Sequence, residues 1–348
     1  MRTRWALVAG IGVATAVAGV LNYAHATALV TFGVATVALA GLAWIVSFST
    51  EQVGERFGPA ATGVLQSTLG NLPEFFVVIF ALSKGEIVVA QTSIIGSIFA
   101  NALLVLGITI IAGCRASEDS VMRFEPRLAK DNAILMMLAS FLIVLLGISS
   151  ASNDRASHHI KAIGIVGAVA LLVTYLVWIV DYLRSDKPEA PSHGEPPVPL
   201  TGALVLLSVG GVGAAFVSDW FITALTPSMD RLGIPKAFAG LVIVAIAGNA
   251  VENTAGVTLA LKGQADLAIS VIKNSVAQIT AFLFPALVLV SLFFATPLTF
   301  ALAPIYIGAL LLTGIALWQI TSDGEATNFE GVALIALYVI LAVATFYE

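Results

Sequence analysis

Two Gly-Asn-x-x-Glu frames sit inside apolar segments long enough to cross a bilayer: Gly70-Asn71-Leu72-Pro73-Glu74 and Gly248-Asn249-Ala250-Val251-Glu252. A carboxylate at the centre of a membrane helix costs about 2.5–3.5 kcal/mol on insertion scales. Glu74 and Glu252 therefore need a reason to be there, and their offset of 178 positions reads as one site built from two halves of the chain. In each frame Asn and Glu are three apart and share a helix face. The frame also reads as a helix start. Asn is a strong N-cap, an acidic residue three positions on completes a capping-box-like pattern, and early helix positions tolerate the missing N–H of Pro73. Gly70 and Gly248 end the preceding half-helix or permit a close crossing. Both spans are thus expected to break at mid-depth, as bilayer helices do where they line a cavity. The carbonyl, amide and carboxylate oxygens gathered there are hard ligands, and calcium takes about six to eight of them.

The offset extends beyond the motif. It pairs Lys84 with Lys262, Gly85 with Gly263 and Ser97 with Ser275. The spans that follow the frames carry polar stripes at helical spacing: Ser93, Ser97 and Asn101 in one, Ser270, Asn274 and Gln278 in the other, with Ser275 adjacent. Ser93 and Ser270 read as packing residues between helices. Ser97, Asn101, Asn274, Ser275 and Gln278 read as site-lining, with Asn71 and Asn249 beside the carboxylates. A buried carboxylate is kept neutral by a proton or charged by a cation, so both compete for one site. Alternating access converts that competition into exchange.

These residues need membrane helices to position them. The chain of 348 residues is 59% hydrophobic and 11% charged, with a mean hydropathy of +0.99. A soluble domain carries about a quarter charged residues, so the expected solvent is a lipid bilayer. Cys114 is the one cysteine, which excludes an intramolecular disulfide and a CxxC metal site. Apolar runs of roughly 20 residues, the length that crosses the hydrocarbon core, begin at 5–23, and the sequence predicts eleven of them. The broken pair are 59–83 and 235–261. With the N-terminus in the cytoplasm, ten Lys and Arg fall on cytoplasmic ends (Arg2, Arg4, Arg56, Arg115, Arg123, Arg127, Lys130, Arg184, Lys187, Lys262) and five on the other side (Lys84, Arg155, Lys161, Arg231, Lys236). The positive-inside rule favours that orientation.

The polar, proline-rich segment 185–198 is a cytoplasmic linker. It separates a first five-helix repeat, 26–184, from a second, 199–348, preceded by an extra N-terminal helix, 1–25. An odd number of crossings inverts the second repeat relative to the first. The fold class is an all-α polytopic membrane protein of about eleven transmembrane helices. Short loops and the lack of an evident targeting segment point to a prokaryotic inner membrane. His158 and His159 with Asp154 read as an ordinary solvated loop.

Thr50-Glu51, Gly58-Pro59 and the run from Gly63 through GNLPEFFVVIFAL to QTSIIGSIFANALLVLG (91–107) resemble the first repeat of the calcium/proton exchangers of the CAX type, within the calcium/cation antiporter superfamily. GLVIVAIAGNAVENTAGV (240–257), Lys262, Asp266-Leu267-Ala268 and NSVAQITAFLFPALVLV (274–290) are similar to the second repeat. The likeness covers almost all of the chain except the first span. It implies an antiporter exchanging Ca2+ or a related divalent cation for H+. Glu74 and Glu252 would hold the cation, Asn71 and Asn249 would line the site, and Ser97, Ser275 and Gln278 would face it. No cofactor and no nucleic acid enters this reading; the partners are the transported Ca2+ and protons. Glu51 and Asp219 resemble a pair of matching family positions; they read equally as guards of the entry paths and as interfacial or helix-capping acids.

The chain departs from the family where Asn253 follows Glu252 in place of His, and where Asn274-Ser275 replaces Gly-Ser after an intramembrane Lys273. Lys273 has three places to put its charge: Asp219, Glu252 or the cation site itself. Asp186, Glu189 and Glu195 are scattered, unlike the acidic helix that often joins the halves in the family. The alternatives are a sodium/calcium or monovalent cation/proton exchanger of the same superfamily, a passive channel, and an intramembrane enzyme. The sequence holds no HExxH, no His-rich cluster and no nucleophile–base frame to support the enzyme.

Overall fold

The computed structural model describes residues 2–54, 56, 65, 69–124, 130–185 and 198–348; the side chains of residues 2–4, 130–133, 181–185 and 251–253 lie outside that description. Most of the expected first half of the span at 59–83 and most of the linker at 185–198 also fall outside it. The helices are α1 (Arg2–Tyr23), α2 (Ala28–Gly54), α3 (Leu72–Ser83), α4 (Ile87–Ala116), α5 (Lys130–Ser152), α6 (Ile160–Ser185), α7 (Leu200–Leu232), α8 (Lys236–Gly248), α9 (Ala250–Leu261), α10 (Ala265–Phe293), α11 (Pro304–Thr321) and α12 (Asn328–Phe346). Among the described residues nine of these are long and apolar enough to cross a membrane, and α3 and α8 are shorter apolar helices.

Burial ranks the helices. In α4, 83% of the apolar window is buried and in α10, 67%, against 17% in α1. The two helices that carry the polar stripes are therefore the centre of the molecule. Residues such as Val13, Val166 and Ile340 expose apolar side chains outward, as a protein dissolved in lipid must. The long antiparallel pair α2–α7 packs beside the central group.

The offset of 178 is visible in backbone angles. Asn71 has φ −86° and ψ 9°, and Asn249 has φ −95° and ψ 10°. Each interrupts the chain just before a 12-residue helix, α3 or α9. Those helices end alike. Lys84 and Lys262 close them, and Gly85 (φ +76°) and Gly263 (φ +74°) take the left-handed turn that glycine adopts without a Cβ penalty. The backbone N–H groups of Glu86 and Gln264 then reach back to the carbonyls of Ala81 and Leu259, at 2.8 and 3.0 Å. π turns follow at Ala100–Val105 in α4 and Ile279–Leu283 in α10. A further π turn, Ala239–Val244, lies in α8 before its break.

Glycines let the central helices touch backbone to backbone. A Cβ built on Gly96 would run into the Leu241 carbonyl of α8, and one on Gly240 would run into Thr92 of α4. Gly107 of α4 and Gly331 of α12 meet the same way, each hypothetical Cβ within 2.8 Å of the other residue's carbonyl oxygen. Small residues at such crossings are how membrane helices gain packing without a hydrophobic driving force.

One element departs from the all-α expectation. β1 (Val121–Arg123) and β2 (Glu325–Thr327) form an antiparallel ladder pairing Val121 with Thr327 and Arg123 with Glu325. It fastens the α4–α5 connection to the α11–α12 connection. Three-residue strands carry too little alternation to be read from sequence. Arg123 spans the ladder, 2.7 Å from Asp119 and 3.1 Å from Glu325. The Arg123 hydrogen bond holds the Asp119 carboxyl below the usual carboxylate range. The folded-state value is the lower one, so the pair's contribution exists above the ordinary Asp pKa and is lost as pH falls through the lowered value. Both groups are solvated, and exposed pairs contribute little. Arg123→Ala is accordingly expected to leave the melting temperature nearly unchanged at neutral pH, which thermal unfolding of the purified variant checks.

Candidate functional site

The two helix breaks meet at the centre. Glu74, third residue of α3, is buried, and its Oε1 accepts a 2.6 Å hydrogen bond from Ser97 Oγ of α4. The same oxygen accepts from Asn249 Nδ2, at the break before α9. Asn249 Nδ2 also lies 2.8 Å from Ser97 Oγ and 2.9 Å from the Ala245 carbonyl. Asn101 Nδ2, in the π turn of α4, donates to Asn249 Oδ1 at 3.0 Å and to Ser275 Oγ of α10 at 3.1 Å. One hydrogen-bonded chain thus runs Ser275, Asn101, Asn249, Glu74, Ser97 and draws on α3, α4, α10 and the α8–α9 break. Every member is buried.

The local chemistry explains each placement. Glu74 lies in the first turn of α3, where the helix dipole favours negative charge. Gly248 leaves room for it: a Cβ there would come within 2.9 Å of Glu74 Cγ. Asn71 is buried at its own break. Neither Asn71 nor Asn249 caps its helix with its side chain, which corrects the capping-box expectation. The frame does start a helix, but the Asn249 amide is used across the interface with the first half of the chain. π turns free side chains from the regular helical stripe and recur at functional sites; here one carries Asn101, and Gln278, also buried, directly precedes another. Asn274 is half-buried on α10.

The Glu252 side chain lies outside the described residues. Its backbone occupies the third position of α9, as Glu74 occupies the third of α3. A cavity lined by Glu74, Ser97 and Ser93 on its polar side, and by Val77, Val244 and Leu283 on its apolar side, extends from the carboxylate toward the end of the molecule where Lys84 and Lys236 lie. Ser93, expected as a packing residue, donates its Oγ to the Ala90 carbonyl in its own helix and also lines this cavity.

Lys273 does not join the site through any of the described residues. Its Nζ donates to Thr321 Oγ1 at 2.8 Å, at the C-terminal end of α11. A long lysine stem reaches from mid-helix to a terminus, and a helix C-terminus favours positive charge. Asp219 is engaged elsewhere, 2.7 Å from Lys84, whose Nζ also donates to Thr223 Oγ1 at 2.8 Å. Glu86 ties the same end together, 2.7 Å from Lys236 and accepting from Thr226. Glu51 is exposed near the C-terminal end of α2, so it and Asp219 sit toward opposite ends of the α2–α7 pair. His158 and His159 are exposed on a 3-10 turn capped by Asp154. Among the described residues no group of three or more His, Cys, Asp or Glu is gathered to hold a metal.

Glu74 and four neutral oxygen-bearing side chains bring together one carboxylate and several dipoles, the kind of oxygen donors that hard cations take. Sequence reasoning had named all five residues. It missed the polarity of the network, which depends on contacts between segments about 150 residues apart.

Comparison with known proteins follows the same line. A family model described as sodium/calcium exchanger protein matches residues 27–181 and 202–347. The Ca(2+)/H(+) antiporter of Synechocystis is 30% identical, covering 94% of this chain and 93% of that protein. The Ca(2+)/H(+) antiporter ChaA of Bacillus subtilis is 30% identical over 92% of this chain and 93% of its own. Among solved structures, native YfkE superposes with a TM-score of 0.83 at 26% identity, covering 98% of this chain and all of that one. The H+/Ca2+ exchanger CAX superposes with a TM-score of 0.75 at 16% identity over 100% of this chain and 93% of that one; at that identity the likeness is one of fold.

Proposed function

Because this chain belongs to the sodium/calcium exchanger protein family, we propose that it is an integral membrane antiporter of the CAX type that exchanges Ca2+ for H+. The observation that carries the reading is the convergence of Glu74, Ser97, Asn101, Asn249 and Ser275 at two helix breaks. Glu74 and Glu252 are the shared carboxylates, each neutralised by protons or by the cation. Asn71 and Asn249 stand beside them, and Gly70, Gly248, Asn274 and Gln278 complete the lining. Alternating access carries the loaded site from one face to the other, and release of Ca2+ on the proton-rich side is driven by protonation of the same oxygens.

The architecture fits eleven crossings, α8 and α9 making one broken span and α3 completing another. Two inverted five-helix repeats, 26–184 and 199–348, follow an N-terminal helix, 1–25, and are joined by the linker 185–198. The matched backbone angles at 178-residue spacing support this layout, as does a family match that falls into two stretches within those bounds. The N-terminus is placed in the cytoplasm and the membrane is a prokaryotic inner one. The β1–β2 ladder supports the eleven-span count, since it joins two loops that this count puts on one side. Glu51 and Asp219 stand near opposite openings of the pathway.

The test is Ca2+ uptake into proteoliposomes under an imposed pH gradient. Uptake that follows the gradient supports the proposal. No calcium movement, with the pH gradient dissipated on adding Na+ or K+, would favour a monovalent cation/proton exchanger of the same superfamily. Calcium flux indifferent to the gradient would favour a channel. Lys273→Met is expected to retain exchange close to the parent level, because the ammonium is bonded at the end of α11. A loss of exchange with unchanged folding would put that charge back in the site.

A further inference from the structure

The cavity beside Glu74 lies between α3 and α4, where Val78 and Ile94 are part of its apolar wall. The offset of 178 carries Val78 to Gly256 of α9 and Ile94 to Ile272 of α10. At that second crossing the space is filled. A Cβ on Gly256 would come within 2.9 Å of Ile272 Cδ1, and Ile272 is buried. The same point lies 3.5 Å from Thr109 Oγ1 of α4. The Thr109 hydroxyl is fully buried and has no hydrogen-bond partner among the described residues. Other helical threonines here spend their hydroxyl on the carbonyl four residues back: Thr92 on Val88 and Thr280 on Val276, at 2.7 and 2.8 Å. Thr109 does not, and the repeat places a leucine, Leu287, at the matching position. A buried hydroxyl without a partner is costly in a protein interior, so it marks a group with a second use.

From this contrast we infer that Thr109 lines a second ion route, between α4, α9 and α10, and that Ile272 is its plug. The inference rests on the antiporter reading above. Exchange requires the site to reach the two faces in turn. The cavity between α3 and α4 leads toward the end of the molecule where Lys84 lies. Its repeat counterpart follows α9 toward the end where Lys262 lies. Gly256 stands one turn beyond the second Gly-Asn-x-x-Glu frame, as Val78 stands one turn beyond the first. Parting of α9 from α10, to the spacing that leaves the cavity between α3 and α4, lifts Ile272 off Gly256 and lets water reach Thr109. Gly256 then offers no side chain to narrow the opening. The Thr109 hydroxyl donates to water and accepts from it, and its oxygen is a hard ligand for a divalent cation in transit. With Ile272 seated, the crossing is packed and apolar apart from that hydroxyl, and neither protons nor cations pass.

The experiment is thiol labelling of the full chain in right-side-out and inverted vesicles with a charged, membrane-impermeant methanethiosulfonate, at rest and during exchange driven by Ca2+ and a pH gradient. The parent, whose single thiol Cys114 is buried, sets the background. Thr109→Cys is expected to label severalfold faster than that background during exchange, slowly at rest, and only from the face where Lys262 lies. Ile110→Cys is the control: Ile110 is buried toward Gly331 of α12 and is expected to stay at background. In a second arm, Thr109→Val keeps the shape and removes the hydroxyl. Its exchange is expected to slow about fivefold, as one hydrogen bond lost from the open route implies, with the melting temperature unchanged or raised, and Thr109→Ser is expected to restore the rate. Labelling of Thr109→Cys that stays at background, that is as fast at rest, that comes from the Lys84 face or that Ile110→Cys matches overturns the route, as does Thr109→Val exchanging at the parent rate or melting lower. Those results leave the antiporter reading standing. A parent that moves neither Ca2+ nor protons overturns that reading and the route together.

Discussion

Glu74→Gln is expected to abolish proton-driven Ca2+ uptake while leaving the protein folded. Gln keeps the shape and the carbonyl oxygen that accept from Ser97 and Asn249, so the network that joins the two halves survives. What is removed is a unit of charge. Two unit charges 4 Å apart interact by about 4 kcal/mol at an effective dielectric near 20, and a divalent ion doubles the figure. Even after heavy discounting for lost solvation, the amide forfeits enough to weaken the cation by more than about a hundredfold, at roughly 1.4 kcal/mol per decade. The amide also has no proton to exchange. Stability should move the other way or not at all, since a buried charge is costly and its neutral isostere is not. The measurements are gradient-driven uptake in proteoliposomes and thermal unfolding of the same preparation. Uptake near the parent level would show that Glu74 is a structural carboxylate. Lost uptake with a collapsed melting temperature would show that it holds the fold. Glu252→Gln is the companion, and the two-carboxylate reading requires the same loss there.

The second large effect is expected at Gly96. There α4 lies against the backbone of α8, and a side chain would meet the Leu241 carbonyl and Cα. Flexible side chains yield to a new methyl group; two helix backbones do not. Overpacking a core costs typically about 1–3 kcal/mol, and Gly96→Val stands at or above the top of that range. The consequence is functional as well as structural. Ser97 is the next residue, and forcing α4 from α8 separates Ser97 from Asn249, 2.8 Å away. Gly96→Val should therefore lower both the yield of folded protein and exchange in the fraction that folds. Gly12→Ala is the control, since a Cβ there meets nothing within 4 Å, and alanine is the better helix former. Equal behaviour of the two variants would mean that α4 and α8 do not need their close approach.

Much of this molecule was legible without coordinates. The cost of placing a polar group in hydrocarbon is a local property of a residue and its depth, so Glu74, Asn101, Asn249 and Ser275 stand out in the sequence as residues that need a function. The 178-residue offset between the two Gly-Asn frames located the breaks, because a Gly-Asn pair followed by a helix start has few other conformations. Asn71 and Asn249 differ by only a few degrees in φ and ψ. The turns at Gly85 and Gly263 follow from the same kind of local rule.

What a side chain bonds to did not follow from such rules. Lys273 had three candidate places by sequence; packing gives Asp219 to Lys84 and brings the Lys273 ammonium to Thr321 on α11, a partner the sequence did not suggest, while the Glu252 side chain lies outside the described residues. Asn249 looked like a cap, yet its amide crosses to Glu74 and Ser97 because the Gly96–Leu241 and Gly240–Thr92 contacts bring α8 against α4. The β1–β2 ladder pairs loops about 200 residues apart. Each of these partners is chosen by how whole helices cross, and a crossing is set by small residues on two segments at once. The sequence by itself determined which residues must leave the lipid and gather; only the tertiary structure decided which end of each amide faces the carboxylate, since that depends on a distance between two helices that neither helix specifies alone.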